Sequence, residues 1–243
     1  MIYGVILAGG KGSRVKGYEL PKQFVKLSGK PLIMHSVLKM VRVQVIDAVI
    51  VVVPSEYLGH ARDVISEYAD DTCNSFKKIM VIAGGDDRES SIVKAIEHIG
   101  KSDAFRDDVF VTHDACRPFF DKEMIAKTVD AIATFDAVTA ALPCADTIAS
   151  GSNGLLTANM DRSMLYTVQT PQTFRPHEYL KLIEEGKDNA SHESSCENAE
   201  FTDVTGRYIQ ANKKVAVVSG SRLNFKITYA EDFALAEAYL ALT

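Results

Sequence analysis

The chain has 243 residues, 47% hydrophobic and 24% charged, a balance that suits one soluble α/β domain with a sizeable core. A net charge of −5 provides no global basic field for nucleic acid. No apolar run reaches the ~18 residues of a membrane span, and no basic leader with a cleavage site precedes the first strand pattern. Cys73, Cys116, Cys144 and Cys196 form no CxxC pair, so they read as free thiols of a cytoplasmic protein, not as a disulfide set or a zinc site.

Tyr3 to Leu7 is an apolar run that predicts a buried first strand. It runs directly into Leu7-Ala8-Gly9-Gly10-Lys11-Gly12-Ser13-Arg14, with Pro21-Lys22-Gln23-Phe24 following. Glycines at a strand end let backbone N–H groups approach an anion, because no Cβ intervenes. Lys11, Arg14 and Lys22 add three cations, and the combination reads as a triphosphate cradle. It is not a P-loop, because Gly10-Lys11 is followed by Gly12 and Val5 stands where the first glycine belongs. It is not a dinucleotide fingerprint either, because Val15 occupies the third glycine position.

Pro31 to Val41 has the proline start and apolar spacing of a helix, with His35 as a packed residue. Asp47 to Val53 is a β-branched run expected of a strand covered on both faces. Helices are expected over 56–68, 90–99 and 122–135, and strands over 78–83, 109–112 and 137–142. This alternation predicts a doubly wound, mainly parallel sheet, a Rossmann-like α/β fold in one domain over 1–243. Ligands in such sheets bind beyond the carboxyl ends of strands, where the glycine loop and His113-Asp114-Ala115-Cys116-Arg117-Pro118 both fall.

Residues 143–166 break that rhythm. Asp146 to Ala149 and Leu155 to Thr157 read as a hairpin around a Ser150–Gly154 turn. Residues 186–200 are polar and acidic and read as a surface loop; His192 and Glu193 within it have no metal partner at ligand spacing. Thr202 or Asp203 caps a helix, 215–218 is a strand, and Thr228-Tyr229-Ala230-Glu231 reads as a capping box opening a last helix to Leu242.

LAGGKGSR with LPKQF, GGDDRESS (84–91), VTHDACRPF (111–119), DRSMLYTVQTPQTF (161–174) and NFKIT (224–228) stand in order along the chain. Together they resemble the cytidylyltransferases acting on ribitol 5-phosphate or methylerythritol 4-phosphate, from residue 2 to about 240. The resemblance implies transfer of CMP from CTP to an alditol phosphate with release of pyrophosphate. The attacking phosphate oxygen is already ionised, so no general base is needed, and no Ser/His/Asp or Cys/His set is evident.

The resemblance assigns Arg14, Lys22 and Lys226 to the reacting phosphates. It assigns Leu7, Ala8, Gly9, Gly10, Lys11, Gly12, Ser13, Gly84, Gly85, Asp86 and Ser91 to the nucleotide, with Arg88 pairing within its own loop. Asp114, a carboxylate at a strand end beside a phosphate crevice, suits Mg²⁺. Arg117 is expected to organise the site or contact the alditol phosphate, and His113 to be a hydrogen-bonded neighbour. Cys116 is expected to be a small apolar neighbour, not a nucleophile.

Thr147 and Arg162 match positions that grip the alditol phosphate, serving a neighbouring subunit through a projecting arm at 143–166, which implies a homodimer. Val15 stands where methionine is usual and Cys116 where alanine or valine is usual, and one extra residue separates Arg14 from Lys22 relative to some relatives. These departures bear on substrate fit more than on the reaction. Tyr166, where methylerythritol enzymes usually carry tryptophan, favours ribitol 5-phosphate; Asp161-Arg162-Ser163 and Ser90-Ser91 favour the other branch. Other sugar-nucleotide pyrophosphorylases, a non-catalytic nucleotide-binding protein and a dinucleotide oxidoreductase fit the residues less well.

Overall fold

The strands, in chain order, are β1 (Ile2–Leu7), β2 (Lys26–Leu27), β3 (Lys30–Pro31), β4 (Ala48–Val53), β5 (Lys78–Ala83), β6 (Val109–Asp114), β7 (Ala137–Pro143), β8 (Ala149–Ser152), β9 (Leu155–Asn159), β10 (Tyr166–Phe174) and β11 (Val215–Ser219). The helices are α1 (Leu32–Val41), α2 (Leu58–Ala69), α3 (Arg88–Ile99), α4 (Lys122–Ala131), α5 (Pro176–Asn189), α6 (Val204–Gln210) and α7 (Ala230–Ala241). This computed structural model describes residues 1–10, 20–69, 77–100, 103–189 and 203–242. Lys11, Gly12, Ser13 and Arg14, the acidic stretch from 190 to 200, Thr202, Cys73 and Cys196 lie outside the described residues.

Seven strands form one sheet in the order β11-β7-β10-β6-β1-β4-β5, in which only β10 runs against its neighbours. The mainly parallel, doubly wound sheet expected from the alternation is present. All six residues of β4 are buried. Because strand side chains alternate in direction, Val49, Val51 and Val53 feed one core and Ala48, Ile50 and Val52 the other. Helices α1, α2 and α4 cover the first face, and α3, α5 and α6 the second. Each such valine or isoleucine contributes about 1.5–3 kcal/mol on burial, so this one strand anchors both layers. Gly4 has a specific reason to be glycine: a Cβ there would sit 2.6 Å from Met40 Cγ of α1.

The differences from the sequence reading have local causes. β10 was not evident, since its segment carries Pro171, and proline argues against a central strand. The β10–β7 register shifts between Val168 and Gln172, around the cis Thr170–Pro171 peptide, and this irregularity accommodates the proline. The helix expected over 122–135 ends at Ala131, and residues 186–189, expected in a loop, complete α5. The last capping box sits one residue further on: Asp232 accepts from the backbone amides of Thr228 at 2.7 Å and Tyr229 at 2.8 Å.

The arm is a hairpin, but its first strand is Ala149–Ser152, not 146–149. Asn153 and Gly154, with φ of 50° and 79°, form the left-handed pair of a tight two-residue turn, and this pair sets the register. Leu155 and Leu156 of β9 are 73% and 80% exposed. No helix among the described residues is long and apolar enough to cross a membrane.

Candidate active site

Register brings the two strongest sequence motifs together. Leu7 pairs with Asp114 across β1 and β6, and the Ala115 amide donates to Leu7 O at 3.0 Å. The glycine loop and the HDACRP loop therefore leave adjacent strands side by side. Across the crevice, α3 is capped by Asp87, whose carboxylate accepts from the Ser90 amide at 2.7 Å. Ser91 is buried and its hydroxyl accepts from the Gly85 amide at 3.1 Å. A Cβ on Gly84 would lie 2.7 Å from that hydroxyl, and one on Gly85 would lie 2.9 Å from the Ser90 carbonyl carbon. Both glycines are thus required by close approach of the chain to itself. Gly9 faces the same Ser91 hydroxyl at ordinary contact distance, 3.6 Å from an added Cβ. Asp86 is exposed at the rim of this loop.

Asp114 is the electrostatic centre. Its carboxylate pairs with Arg88 of α3, with Lys226 Nζ at 3.0 Å and with Arg117 Nε at 3.3 Å. Burial alone would raise its pKa, but the attraction of Arg88, Lys226 and Arg117 outweighs that and holds the carboxyl well below the usual range. Three cations around one carboxylate leave a surplus of two positive charges at the carboxyl end of the sheet, which is the electrostatic requirement for a polyanion site. Arg88 was expected to pair within its own loop; instead it reaches Asp114, 26 residues away in the chain.

Lys22, in a short 3-10 turn over Lys22–Phe24, is buried and donates to Ile227 O at 2.9 Å. Its ammonium is thus bound to the backbone carbonyl of the residue next to Lys226. One contact holds that turn in place, and another fixes the β2–β3 turn that follows it. Gln23 Nε2 donates to Ala8 O at 2.8 Å, and Ser28, in the β2–β3 turn, is bound through its amide and hydroxyl by Glu237 of α7, both at 2.6 Å. Cys116 is buried in an apolar cluster with Phe119, Ile227 and Phe233, and burial raises its thiol pKa, so it stays a neutral neighbour as expected.

Behind Asp114 lies a buried polar network. Thr170 Oγ accepts from the Asp114 amide at 3.1 Å and lies 3.0 Å from His113 Nδ1. His113 Nε2 faces Arg117 O at 2.9 Å, so it carries the proton and donates to that carbonyl. Desolvation lowers the His113 pKa to about 4, and the ring is neutral. The Asn224 side chain donates to Thr170 O at 2.7 Å and to Gln169 Oε1 at 3.2 Å, while the Asn224 backbone carbonyl accepts from Arg117 at 2.9 Å. Gln23, Gln169, Thr170 and Asn224 were not singled out from sequence. Polar residues standing inside otherwise specific motifs were the available signal.

A family model described as IspD, 2-C-methyl-D-erythritol 4-phosphate cytidylyltransferase, matches residues 2–242. The chain belongs to the IspD family. A ribitol-5-phosphate cytidylyltransferase of Lactiplantibacillus plantarum is 36% identical over 242 residues, covering 98% of this chain and 97% of the relative. Among solved structures, the 4-diphosphocytidyl-2C-methyl-D-erythritol synthase of Anaerococcus prevotii superposes with a TM-score of 0.78 at 25% identity, covering 99% and 96% of the two chains. The Francisella tularensis 2-C-methyl-D-erythritol 4-phosphate cytidylyltransferase gives 0.74 at 23% identity over 98% of each chain. The resemblance read from the motifs and the nucleotidyltransferase class it implied are borne out.

Two features of this IspD-family chain bear on its ligands. Among the described residues, no group of three His, Cys, Asp or Glu side chains could hold a metal by itself. A carboxylate offers about four lone-pair positions, and three cations contact that of Asp114. One position remains, which fits a single bond to Mg²⁺, or to a water of its shell, with phosphate oxygens completing the set. Thr147 and Arg162 are exposed on the arm, and the Arg162 guanidinium donates to Ala145 O at 3.4 Å. Arm residues Met164 and Tyr166 line a groove of about 560 Å³ together with Val168 of β10, Ile209 of α6 and Val217 of β11.

Proposed function

We propose that this IspD-family chain is a cytoplasmic cytidylyltransferase that transfers CMP from CTP to D-ribitol 5-phosphate, giving CDP-ribitol and pyrophosphate. The observation that carries the choice of alditol is the 36% identity, over nearly the whole of both chains, to a relative named for ribitol 5-phosphate. A phosphate oxygen of the alditol phosphate attacks the α-phosphorus, and the bond from that phosphorus to the β-bridging oxygen breaks. Pyrophosphate leaves with the bonding pair, so no proton need be abstracted.

Lys22 and Lys226 stabilise charge on the α-phosphoryl oxygens, with Arg14 joining them on the triphosphate. Gly84, Gly85, Asp86 and Ser91 meet the base, and the residues from Leu7 to Ser13 serve the nucleotide, as the resemblance implies. Mg²⁺, when bound, neutralises triphosphate charge beside Asp114. Arg117, fixed by Asp114 and Asn224, orders the alditol-phosphate side. Methylerythritol 4-phosphate is the second reading, favoured by the family's own description.

The physical distinction between the two alditols is a hydroxyl-bearing carbon against a branched methyl. A site built to pair a hydroxyl rejects a substrate that leaves its polar groups unpaired. With CTP under identical conditions, kcat/KM is expected to be at least about tenfold higher for ribitol 5-phosphate, ~1.4 kcal/mol of transition-state binding. A tenfold preference for methylerythritol 4-phosphate overturns the choice of alditol, and equal use of UTP or GTP overturns the choice of nucleotide.

The arm is the basis for a homodimer. A two-stranded hairpin is marginal in water on its own, and Leu155 and Leu156 at 73% and 80% exposure are apolar surface in need of cover. In this reading Thr147 and Arg162 reach the neighbouring subunit's alditol phosphate. Sedimentation at micromolar concentration is expected to show a dimer, and Leu155→Ser with Leu156→Ser to release monomers of low activity. A fully active wild-type monomer contradicts both statements.

A further inference from the structure

The charge pairs around Asp114 do not stop at α3. Arg88 is the first residue of that helix and reaches Asp114, whereas the next residue, Glu89, reaches away from it. Arg207 of α6 grips Glu89 through two parallel bonds, Nε to Oε2 at 2.5 Å and Nη2 to Oε1 at 2.6 Å. Tyr179 of α5, itself fully buried, adds its hydroxyl at 3.4 Å from the same carboxylate. The pair is largely shielded, with side chains 16% and 26% exposed. Charges thus alternate from α6 to the C-terminal lysine: Arg207, Glu89, Arg88, Asp114, Lys226.

Consecutive helix residues point about 100° apart, so these contacts brace the first turn of α3 from two sides. Arg88 depends on that bracing. Its Nε is buried without a partner among the described residues, so Asp114 is its polar anchor, and the backbone of α3 decides whether it arrives there. The Gly84–Asp87 loop leads directly into the same turn, and Asp87 caps it. A planar, bidentate guanidinium fixes direction as well as distance, which a lysine at 207 could not do.

We propose that Arg207 is a positioning residue for nucleotide binding. By gripping Glu89 it holds the first turn of α3, and with it Arg88 and the 84–87 loop, where they meet CTP. The proposal deepens the cytidylyltransferase reading and rests on it.

The test uses the full chain with Arg207→Gln, Arg207→Lys, Glu89→Gln and the Arg207→Gln/Glu89→Gln double variant. Thermal midpoints are measured by melting, and KM for each substrate and kcat at a temperature well below every midpoint. Either glutamine variant is expected to raise KM for CTP about tenfold, the lower range for a charge-assisted contact. KM for ribitol 5-phosphate should move less than about twofold, because the clamp acts on the nucleotide side. The double variant should be no worse than the single ones, since one clamp is lost only once. Arg207→Lys should fall between wild type and Arg207→Gln, keeping charge without the fork.

A purely structural pair would lower the thermal midpoint while leaving both KM values unchanged, and that result overturns the proposal. So does a double variant whose effects on KM for CTP multiply. An unchanged KM for CTP in active variants counts against Arg207 alone and leaves the cytidylyltransferase reading in place. A wild-type chain that neither binds nor turns over CTP removes the cytidylyltransferase reading and this proposal together.

Discussion

Lys226→Ala is expected to lower kcat by about 10²–10³-fold, the scale of losing one preorganised donor to a developing oxyanion, while the protein stays folded. The two outcomes separate because of where the ammonium sits. Its side chain is 40% exposed and shares Asp114 with two arginines. Removing it costs about 1 kcal/mol or less, as for other accessible ion pairs, and leaves Asp114 still paired. Lys22→Ala should abolish turnover as well but is the less clean experiment. Its buried ammonium occupies Ile227 O, and an orphaned buried carbonyl costs about 1–3 kcal/mol. Steady-state kinetics beside a thermal melt checks both variants. Full turnover in folded Lys226→Ala would remove that lysine from the reaction.

Asp114→Asn is expected to lose both activity and stability. The neutral amide leaves Arg88, Arg117 and Lys226 converging without an anion, and breaking a buried charge cluster costs about 3–5 kcal/mol. For a chain of this size that is a fall in Tm on the order of 10 °C. Asparagine keeps the volume, so the loss reports charge and not a cavity. Calorimetry measures the fall, and an unchanged Tm would mean that the cations repel one another less than their spacing implies. Excess chelator with the wild type isolates the metal: turnover should be lost while Tm holds. Undiminished rates in chelator would leave Asp114 as an organiser of cations only.

The comparison of sequence with structure is instructive at particular residues. The LAGG loop and HDACRP were legible as a shared crevice because each follows an apolar run, and parallel strands in a doubly wound sheet end on the same side. The Leu7–Asp114 register made that inference concrete. Arg88 was misread because local sequence offered it several acidic neighbours, and only the packing of α3 over β1 and β4 sends it to Asp114. Gln23 and Asn224 were passed over because their partners, Ala8 O and Thr170 O, lie 15 and 54 residues away. The arm strand slipped by three residues because Ala149-Ser150-Gly151-Ser152 has no alternation to fix a face, so the Asn153-Gly154 turn alone sets its register.

The sequence by itself determined the strand–helix alternation of a mainly parallel sheet and the shared crevice, and its resemblance to a known family supplied the reaction class, whereas β10 and α5 were not evident in it. Period-2 and period-3.6 patterns, glycines at strand ends and clustered cations act over short spans, where the order of residues is the physical cause. Only the tertiary structure decided which charges meet. Asp114 collects Arg88, Arg117 and Lys226, and Glu89 turns to Arg207. Those partners come from separate elements of the chain, and a long-range ion pair is selected by how buried helices and strands pack, a quantity that no local pattern carries.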